Sequence, residues 1–250
     1  MIMLHIFVDS SRMEGDLLHV TGGDVNHIRN VMRLKPGDEI SVRTGEDERE
    51  YIYGIESFPD DEVLCRLRYV KEAEVELPVK IILFQGLPKS DKMELIIQKA
   101  VELGVSEIVP VTMRRCVVRL DETRIKKRLA RWQSIAESAA KQSRRAMVPV
   151  IRQPMSMKEA VRYAQESADV KLLPYELQES GGGTRAAFEE LKEGGCLAFF
   201  IGPEGGFEPE EVEIALEAGV RPVSLGRRIL RTETAAMVVM SWLIWRFEIY

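Results

Sequence analysis

From residue 79 onward, short apolar runs alternate with amphipathic stretches, and this rhythm restricts the fold more than any other feature of the chain. The runs fall at residues 79–84, 107–111, 170–173, 196–201 and 222–225. Segments with helical spacing lie between them at 91–103, 124–141, 157–167, 184–191 and 209–218, and an apolar-rich helical segment covers 234–248. Buried strands separated by amphipathic helices predict a largely parallel sheet with helices on both faces.

The first seventy or so residues differ. Alternating or β-rich runs at 5–8, 39–43, 50–55 and 63–70 are separated by turn chemistry, Pro36-Gly37-Asp38 and Thr44-Gly45-Glu46-Asp47. Val25, Ile28, Val31 and Met32 fall at helical spacing within residues 24–32. Short strands closing on themselves predict a small β-barrel over residues 1–72, ahead of an α/β domain at 73–250. The charged stretch 71–78 reads as a linker, and Gly181-Gly182-Gly183 as a flexible loop.

A length of 250 residues suits two modest domains, and 45% hydrophobic with 30% charged residues is ordinary for a soluble protein. No apolar stretch reaches the roughly 18 residues of a membrane span. Residues 1–10 carry Asp9 and lack a basic leader, which points to a cytoplasmic protein. Cys65, Cys116 and Cys196 are far apart, and only His5, His19 and His27 are present, so neither disulfides nor a metal site is expected. The net charge of −5 conceals a local asymmetry. Arg114, Arg115, Arg119, Arg124, Lys126, Lys127, Arg128, Arg131, Lys141, Arg144 and Arg145 are opposed within their own segment only by Asp121, Glu122 and Glu137. Such a cluster is the footprint of phosphate binding, although a solvated helix face gives the same composition.

The most informative stretch is Phe199-Phe200-Ile201-Gly202-Pro203-Glu204-Gly205-Gly206-Phe207, a buried strand ending in a glycine-rich turn before a helix at Pro209. Ligands of open α/β sheets sit at the carboxyl ends of strands. A bare tight turn would need fewer glycines and no acid. Neither a dinucleotide fingerprint nor a phosphate loop is present. Glu204, Glu208, Glu210 and Glu211 crowd the helix start, where a phosphate would meet carboxylates. A cationic ligand without phosphates, such as S-adenosylmethionine, fits that environment better. In the second loop, Leu225-Gly226-Arg227-Arg228-Ile229-Leu230-Arg231-Thr232-Glu233-Thr234-Ala235, the pair Ile229-Leu230 could flank an adenine. Thr232 is a natural helix cap, and the arginines could hold an RNA phosphate or a developing negative charge.

These two loops resemble those of the bacterial 16S ribosomal RNA uridine-N3 methyltransferases (the RsmE type) of the SPOUT superfamily. The resemblance extends to Lys92-Met93-Glu94 with Lys99-Ala100-Val101-Glu102-Leu103-Gly104-Val105, to Arg115-Cys116-Val117-Val118, to Gln142-Ser143-Arg144-Arg145, and to His27 with Val31-Met32-Arg33-Leu34-Lys35-Pro36-Gly37-Asp38. Cys116 stands where serine is expected, and Arg114 where an acid is common.

The resemblance implies a SPOUT-type α/β domain with a C-terminal deep trefoil knot, preceded by a PUA-like barrel. It also implies a homodimer, S-adenosylmethionine as cofactor, and a uridine in the decoding region of small-subunit RNA as target. The pocket would draw on Leu173, Ile201, Gly202, Pro203, Glu204, Gly205, Gly206, Leu225, Gly226, Ile229, Leu230, Thr234 and Ala235. RNA would be gripped by Arg12, His27, Arg33, Lys92, Arg115, Gln142, Arg144 and Arg145. Uridine N3 must lose its proton before attack, so Glu204 or Glu233 is expected as the base and Arg231 as the stabilising cation. The last helix, with Met237, Met240, Trp242, Leu243, Trp245 and Phe247, is expected at the dimer interface, although a core helix has the same composition. The competing readings are a non-catalytic RNA-binding ribosome-assembly protein, a SPOUT methyltransferase acting on a different RNA base, and a different α/β enzyme using a nucleotide, against which the missing phosphate loop counts.

Overall fold

Alternation in the N-terminal sequence is realised as a mixed sheet. The computed structural model describes residues 3–72, 75–118, 122–175 and 182–249. They divide into two compact units, Met1–Glu76 with Ala140–Val148, and Leu77–Ala139 with Pro149–Tyr250. The first unit contains β1 (Leu4–Phe7), β2 (Met13–Glu14), β3 (Leu17–Thr21), α1 (Gly23–Asn26), running on as a π-helical turn at His27–Val31, then β4 (Glu39–Arg43), β5 (Arg49–Ser57) and β6 (Glu62–Glu72). Its sheet has the order β1-β4-β5-β6-β3-β2, with β1 and β4 parallel and the other pairs antiparallel. Alternate residues Leu18 and Val20, Ile40 and Val42, and Val63 and Cys65 point into one core, closed by Ile28.

The sequence pattern gives no strand at β2 or β3. β3 is short and draws its ladder from β6, with Leu18 opposite Cys65 and Val20 opposite Val63, so its partner settles its conformation.

The stretch expected to be a linker is anchored. β6 extends to Glu72, and Leu77 is buried. The Glu76 carboxylate accepts from Arg145 Nε at 3.1 Å and Nη2 at 2.5 Å, and from the amides of Ala146 and Met147 at 2.8 and 3.1 Å. A second buried group holds the same segment. Glu50 accepts from Ser41 at 2.6 Å and from Arg43 at 3.0 Å, and Arg43 donates to the Arg144 carbonyl. Residues 140–148, which the sequence rhythm places in the α/β domain, thus belong to the first unit.

In the second unit the predicted alternation appears as β7 (Lys80–Gly86), α2 (Lys92–Glu102), β8 (Glu107–Thr112), α3 (Glu122–Gln142), the short β9 (Val150–Ile151) and β10 (Met155–Ser156), α4 (Met157–Ser167), β11 (Val170–Pro174), α5 (Gly182–Glu189), β12 (Cys196–Ile201), α6 (Pro209–Glu217), β13 (Arg221–Val223) and α7 (Thr232–Ile244). Gly182 and Gly183, expected in a loop, open α5, while Gly181 lies outside the described residues.

All pairings are parallel, in the order β10-β8-β7-β12-β11-β13, with β9 also on β8. Phe84 of β7 stacks on Phe200 of β12 with ring centroids 4.5 Å apart, at the centre of one face. Because every strand runs the same way, all carboxyl ends share one edge of the sheet. The loops after β7, β8, β12 and β13 converge there.

The Glu76–Arg145 pair is buried on both sides, with side-chain exposures of 9% and 5%. Removing one partner of such a pair leaves an uncompensated charge, so Arg145→Ala should destabilise the protein by about 3–5 kcal/mol. Urea denaturation followed by circular dichroism measures this, and a loss below about 1 kcal/mol would mean that the pair is not a structural anchor.

Candidate active site

β12 delivers Ile201 beside Gln85 of β7, and the chain then turns through residues 202–208 into α6. The turn is tight for steric reasons. A Cβ at Gly86 would lie 2.6 Å from Pro203 Cδ, and Gly206 adopts φ +70°, so both positions require glycine. Pro203 and Phe207 are buried beneath the loop.

The second loop, after β13, returns to this point. Thr232 Oγ1 donates to the Gly202 carbonyl at 2.7 Å and accepts from Gln85 Nε2 at 2.8 Å, while the same Nε2 donates to the Gly86 carbonyl at 3.0 Å. Gln85 is fully buried and Thr232 nearly so. The expected capping role of Thr232 is therefore corrected. Arg231 occupies the cap position without a side-chain capping bond, and Thr232, the first helical residue, spends its hydroxyl across the strand ends. Gln85 was not among the predicted site residues. Its signal was one amide at the end of the apolar run Ile81-Ile82-Leu83-Phe84.

Three charged groups converge beside this junction. Lys92 Nζ lies 3.2 Å from Glu204 Oε1 and 3.5 Å from Glu233 Oε2, so it bridges both predicted bases. Glu204 also accepts from the Lys89 amide at 3.1 Å. Burial alone would raise the Glu204 carboxyl. Hydrogen bonds from its own amide, the Lys89 amide and the Lys92 ammonium outweigh burial and hold the group below the usual carboxylate range. Glu233 Oε2 is buried and accepts no hydrogen bond. Arg231 is exposed at the head of α7.

The acids at the start of α6 are not free to repel a ligand. Arg115 binds Glu208 through Nε at 2.9 Å, Arg114 Nη1 binds Glu210 at 2.8 Å, and the Arg114 amide donates to the buried Glu211 at 2.8 Å. The Arg115 hydrogen bond lowers the Glu208 carboxyl, and in turn Glu208 raises the guanidinium. Exclusion of phosphates by carboxylates, expected from sequence, therefore loses its basis here. Arg114, at a position where an acid is common, supplies part of the compensation. Cys116 closes the same turn, its Sγ accepting from the Met113 amide at 3.3 Å, and burial raises its thiol.

This construction, a parallel sheet with two hydrogen-bonded loops at its carboxyl edge, has known counterparts. Residues 75–244 match the RNA methyltransferase domain, and residues 20–67 match the RNA methyltransferase PUA domain. The chain belongs to the RNA methyltransferase family. It is 37% identical over 240 residues to ribosomal RNA small subunit methyltransferase E of Bacillus subtilis, covering 94% of this chain and 93% of that one. The protein of the same name from Mycobacterium tuberculosis is 32% identical, covering 96% and 91%. A crystal structure of ribosomal RNA small subunit methyltransferase E from Neisseria gonorrhoeae bound to S-adenosyl methionine superposes with a TM-score of 0.82 at 30% identity, covering 98% of each chain.

The remaining predicted residues of this methyltransferase fall into distinct places. Leu173 and Ile201 are core side chains, so only their backbone, at the ends of β11 and β12, can face the loops. Leu225 and Leu230 are half-buried, Gly226 is exposed, and Ile229 is 85% exposed beside them. Thr234 and Ala235 line the first turn of α7, half-buried. In the first unit Arg12, His27, Arg33, Gln142 and Arg144 are exposed. Arg145 is not, because its guanidinium is committed to Glu76, and this corrects its expected role. Arg119 and Asp121 lie outside the described residues.

Thr232→Val keeps the shape of residue 232 but strands a buried amide proton and the Gly202 carbonyl, at a cost of about 1–3 kcal/mol. Thr232→Ser should stay near wild type. Chemical denaturation of both variants tests this, and equal stabilities would remove the hydroxyl from the role.

Proposed function

We propose that this methyltransferase transfers a methyl group from S-adenosylmethionine to N3 of a uridine in 16S ribosomal RNA, in the decoding region of the small subunit. The observation that carries the reading is the pair of loops at the carboxyl edge of the parallel sheet, joined through Thr232 and Gly202 and edged by Lys92, Glu204, Glu233 and Arg231. Relatives named for small-subunit RNA methylation, alike over almost the whole chain, support the substrate, and the neighbour bound to S-adenosyl methionine supports the cofactor.

The residues present fit that cofactor. Ile229 holds an apolar side chain out at the open edge, next to the half-buried Leu225 and Leu230, as an adenine face requires. The backbone of Ile201, Gly202, Pro203, Gly205, Gly206 and Gly226 would contact the polar parts, with Leu173, Thr234 and Ala235 completing the wall. When bound, S-adenosylmethionine supplies a methyl group made electrophilic by its sulfonium.

The chain must then align the base and take the N3 proton. Glu204 is poorly suited to accept it, since its oxygens already hold the Lys89 amide and the Lys92 ammonium. Glu233, whose buried Oε2 accepts no hydrogen bond and lies 3.5 Å from Lys92 Nζ, is less committed and is the better base. Arg231, at the head of α7, would stabilise charge developing on the neighbouring carbonyl oxygens. Arg12, His27, Arg33, Gln142 and Arg144 would contact RNA phosphates from the first unit.

Three further features belong to the same reading. The return of the chain from β13, at the edge beyond β11, to the Gln85–Gly202 junction supports a trefoil knot in this domain. Closure of the six-stranded sheet would make the PUA domain a barrel. Trp245 and Ile249, 55% and 71% exposed at the end of the last helical segment, suit a homodimer interface, and a monomeric mass in dilute solution would exclude it. A ribosomal RNA substrate supports a cytoplasmic protein, and among the described residues no helix is long and apolar enough to cross a membrane.

Methyl transfer to naked 16S RNA and to small subunits lacking the modification, with the product base mapped, tests the activity. Methylation at a position other than uridine N3, or none on either substrate, would overturn it. Glu233→Gln should lower kcat about 10²–10⁴-fold at saturating substrates. An unchanged kcat would remove Glu233 as the base.

A further inference from the structure

We propose that Arg115 is a positioning residue that clamps the cofactor loop, and not an RNA contact. The proposal rests on the reading that residues 202–207 hold S-adenosylmethionine.

Arg115 lies in the turn after β8, closed by the Cys116 amide donating to the Met113 carbonyl at 3.1 Å. Its composition and neighbours suggest phosphate binding, but all three of its guanidinium nitrogens face the glycine loop. Nη1 donates to the Gly205 carbonyl at 2.7 Å, while Nε and Nη2 reach Glu208 Oε1 and Oε2 at 2.9 and 3.4 Å. The aliphatic stem lies flat on Gly205, where an added Cβ would sit 3.0 Å from Arg115 Cβ. The adjacent residue completes the clamp through the backbone. The Arg114 amide donates to Glu211 Oε1, and the other Glu211 oxygen accepts from the Glu208 amide at 2.9 Å. Glu211 is buried, so its two oxygens tie the β8 turn to the start of α6.

The mechanical consequence follows from the sequence of the loop. Gly205-Gly206 is its freest backbone, and glycine loses more conformational entropy on ordering than any other residue. Gly202 is pinned from one side by Thr232, and Arg115 pins Gly205 from the other. With both ends fixed, a ligand of the loop need not supply the ordering free energy, which otherwise subtracts from affinity. Three of the five guanidinium N–H donors are thus committed to a carbonyl and a carboxylate of the loop, which fixes the side chain there.

Calorimetry with S-adenosylmethionine and S-adenosylhomocysteine, 16S RNA binding across a salt series, and steady-state kinetics decide the role. Arg115→Ala should weaken both small ligands about 10-fold and raise KM for S-adenosylmethionine, with kcat at saturation, RNA affinity and the salt slope unchanged. Arg115→Lys, which keeps one donor for Gly205, should recover part of the loss. Gly205→Ala changes no charge but pushes on the Arg115 stem, so it should reproduce the cofactor defect and serve if Arg115→Ala does not fold. Cofactor affinity within twofold of wild type in Arg115→Ala or Gly205→Ala would overturn the proposal. So would a fall in the salt slope by about one phosphate contact in Arg115→Ala. Failure of the wild-type protein to bind either small ligand would instead refute the underlying cofactor reading.

Discussion

A single buried chain of hydrogen bonds, from the Gln85 amide to the Thr232 hydroxyl to the Gly202 carbonyl, sets the geometry on which the proposed chemistry depends. It joins the ends of β7 and β12 to the start of α7, with Gln85 lying 147 positions from Thr232 in the chain. Away from water such a network is strong when satisfied and costly when broken, so it selects one arrangement of the two loops. The position of Glu233 follows directly, because it is the next residue after Thr232 on the first turn of α7. The position of Glu204 follows from the other end, two residues beyond Gly202. Lys92, at the first turn of α2, then meets both carboxylates.

Electrostatics around that junction are balanced locally. Each acid near the glycine loop has a basic or amide partner: Glu204 with Lys92 and Lys89, Glu208 with Arg115, Glu210 with Arg114, and Glu211 with two backbone amides. The carboxylates at the start of α6 therefore act as receptors for the preceding β8 turn. Their count along the sequence says little about the charge a ligand would meet. Glu233 differs, since one of its oxygens is buried without a hydrogen bond. That asymmetry separates two acids that are alike in sequence.

Much of this was legible beforehand, for identifiable reasons. The strands β7, β8, β11 and β12 are apolar runs because both faces of a parallel sheet are covered, and their helices carry one apolar stripe each. The loop 202–207 declared itself through its glycines, of which Gly206 takes φ +70° and Gly205 lies against the Arg115 stem. What was not legible depended on partners distant in sequence. β3 reads weakly by itself and is completed by β6. Thr232 has the residue type of a cap, and only the nearby Gly202 carbonyl gives its hydroxyl another use. Glu76 sits in a stretch with a linker's composition, yet it anchors residues 145–147.

The basic segment is the sharpest case of that dependence. Counted locally, its cations outnumber its acids, but folding brings in carboxylates from elsewhere. Arg114, Arg115, Arg131 and Arg145 are paired with Glu210, Glu208, Glu94 and Glu76 respectively. These pairs divide the run into two classes by function. Arg145 is a buried structural cation whose neighbour Arg144 is exposed, although the two are identical in type and adjacent in sequence. Arg144 takes φ +59°, which turns the chain between them, and its carbonyl is held by the buried Arg43. Lys126, Lys127, Lys141 and Arg144 remain at the surface. The sign of a charge along the sequence therefore does not say whether it faces solvent or is spent on a carboxylate of the protein itself.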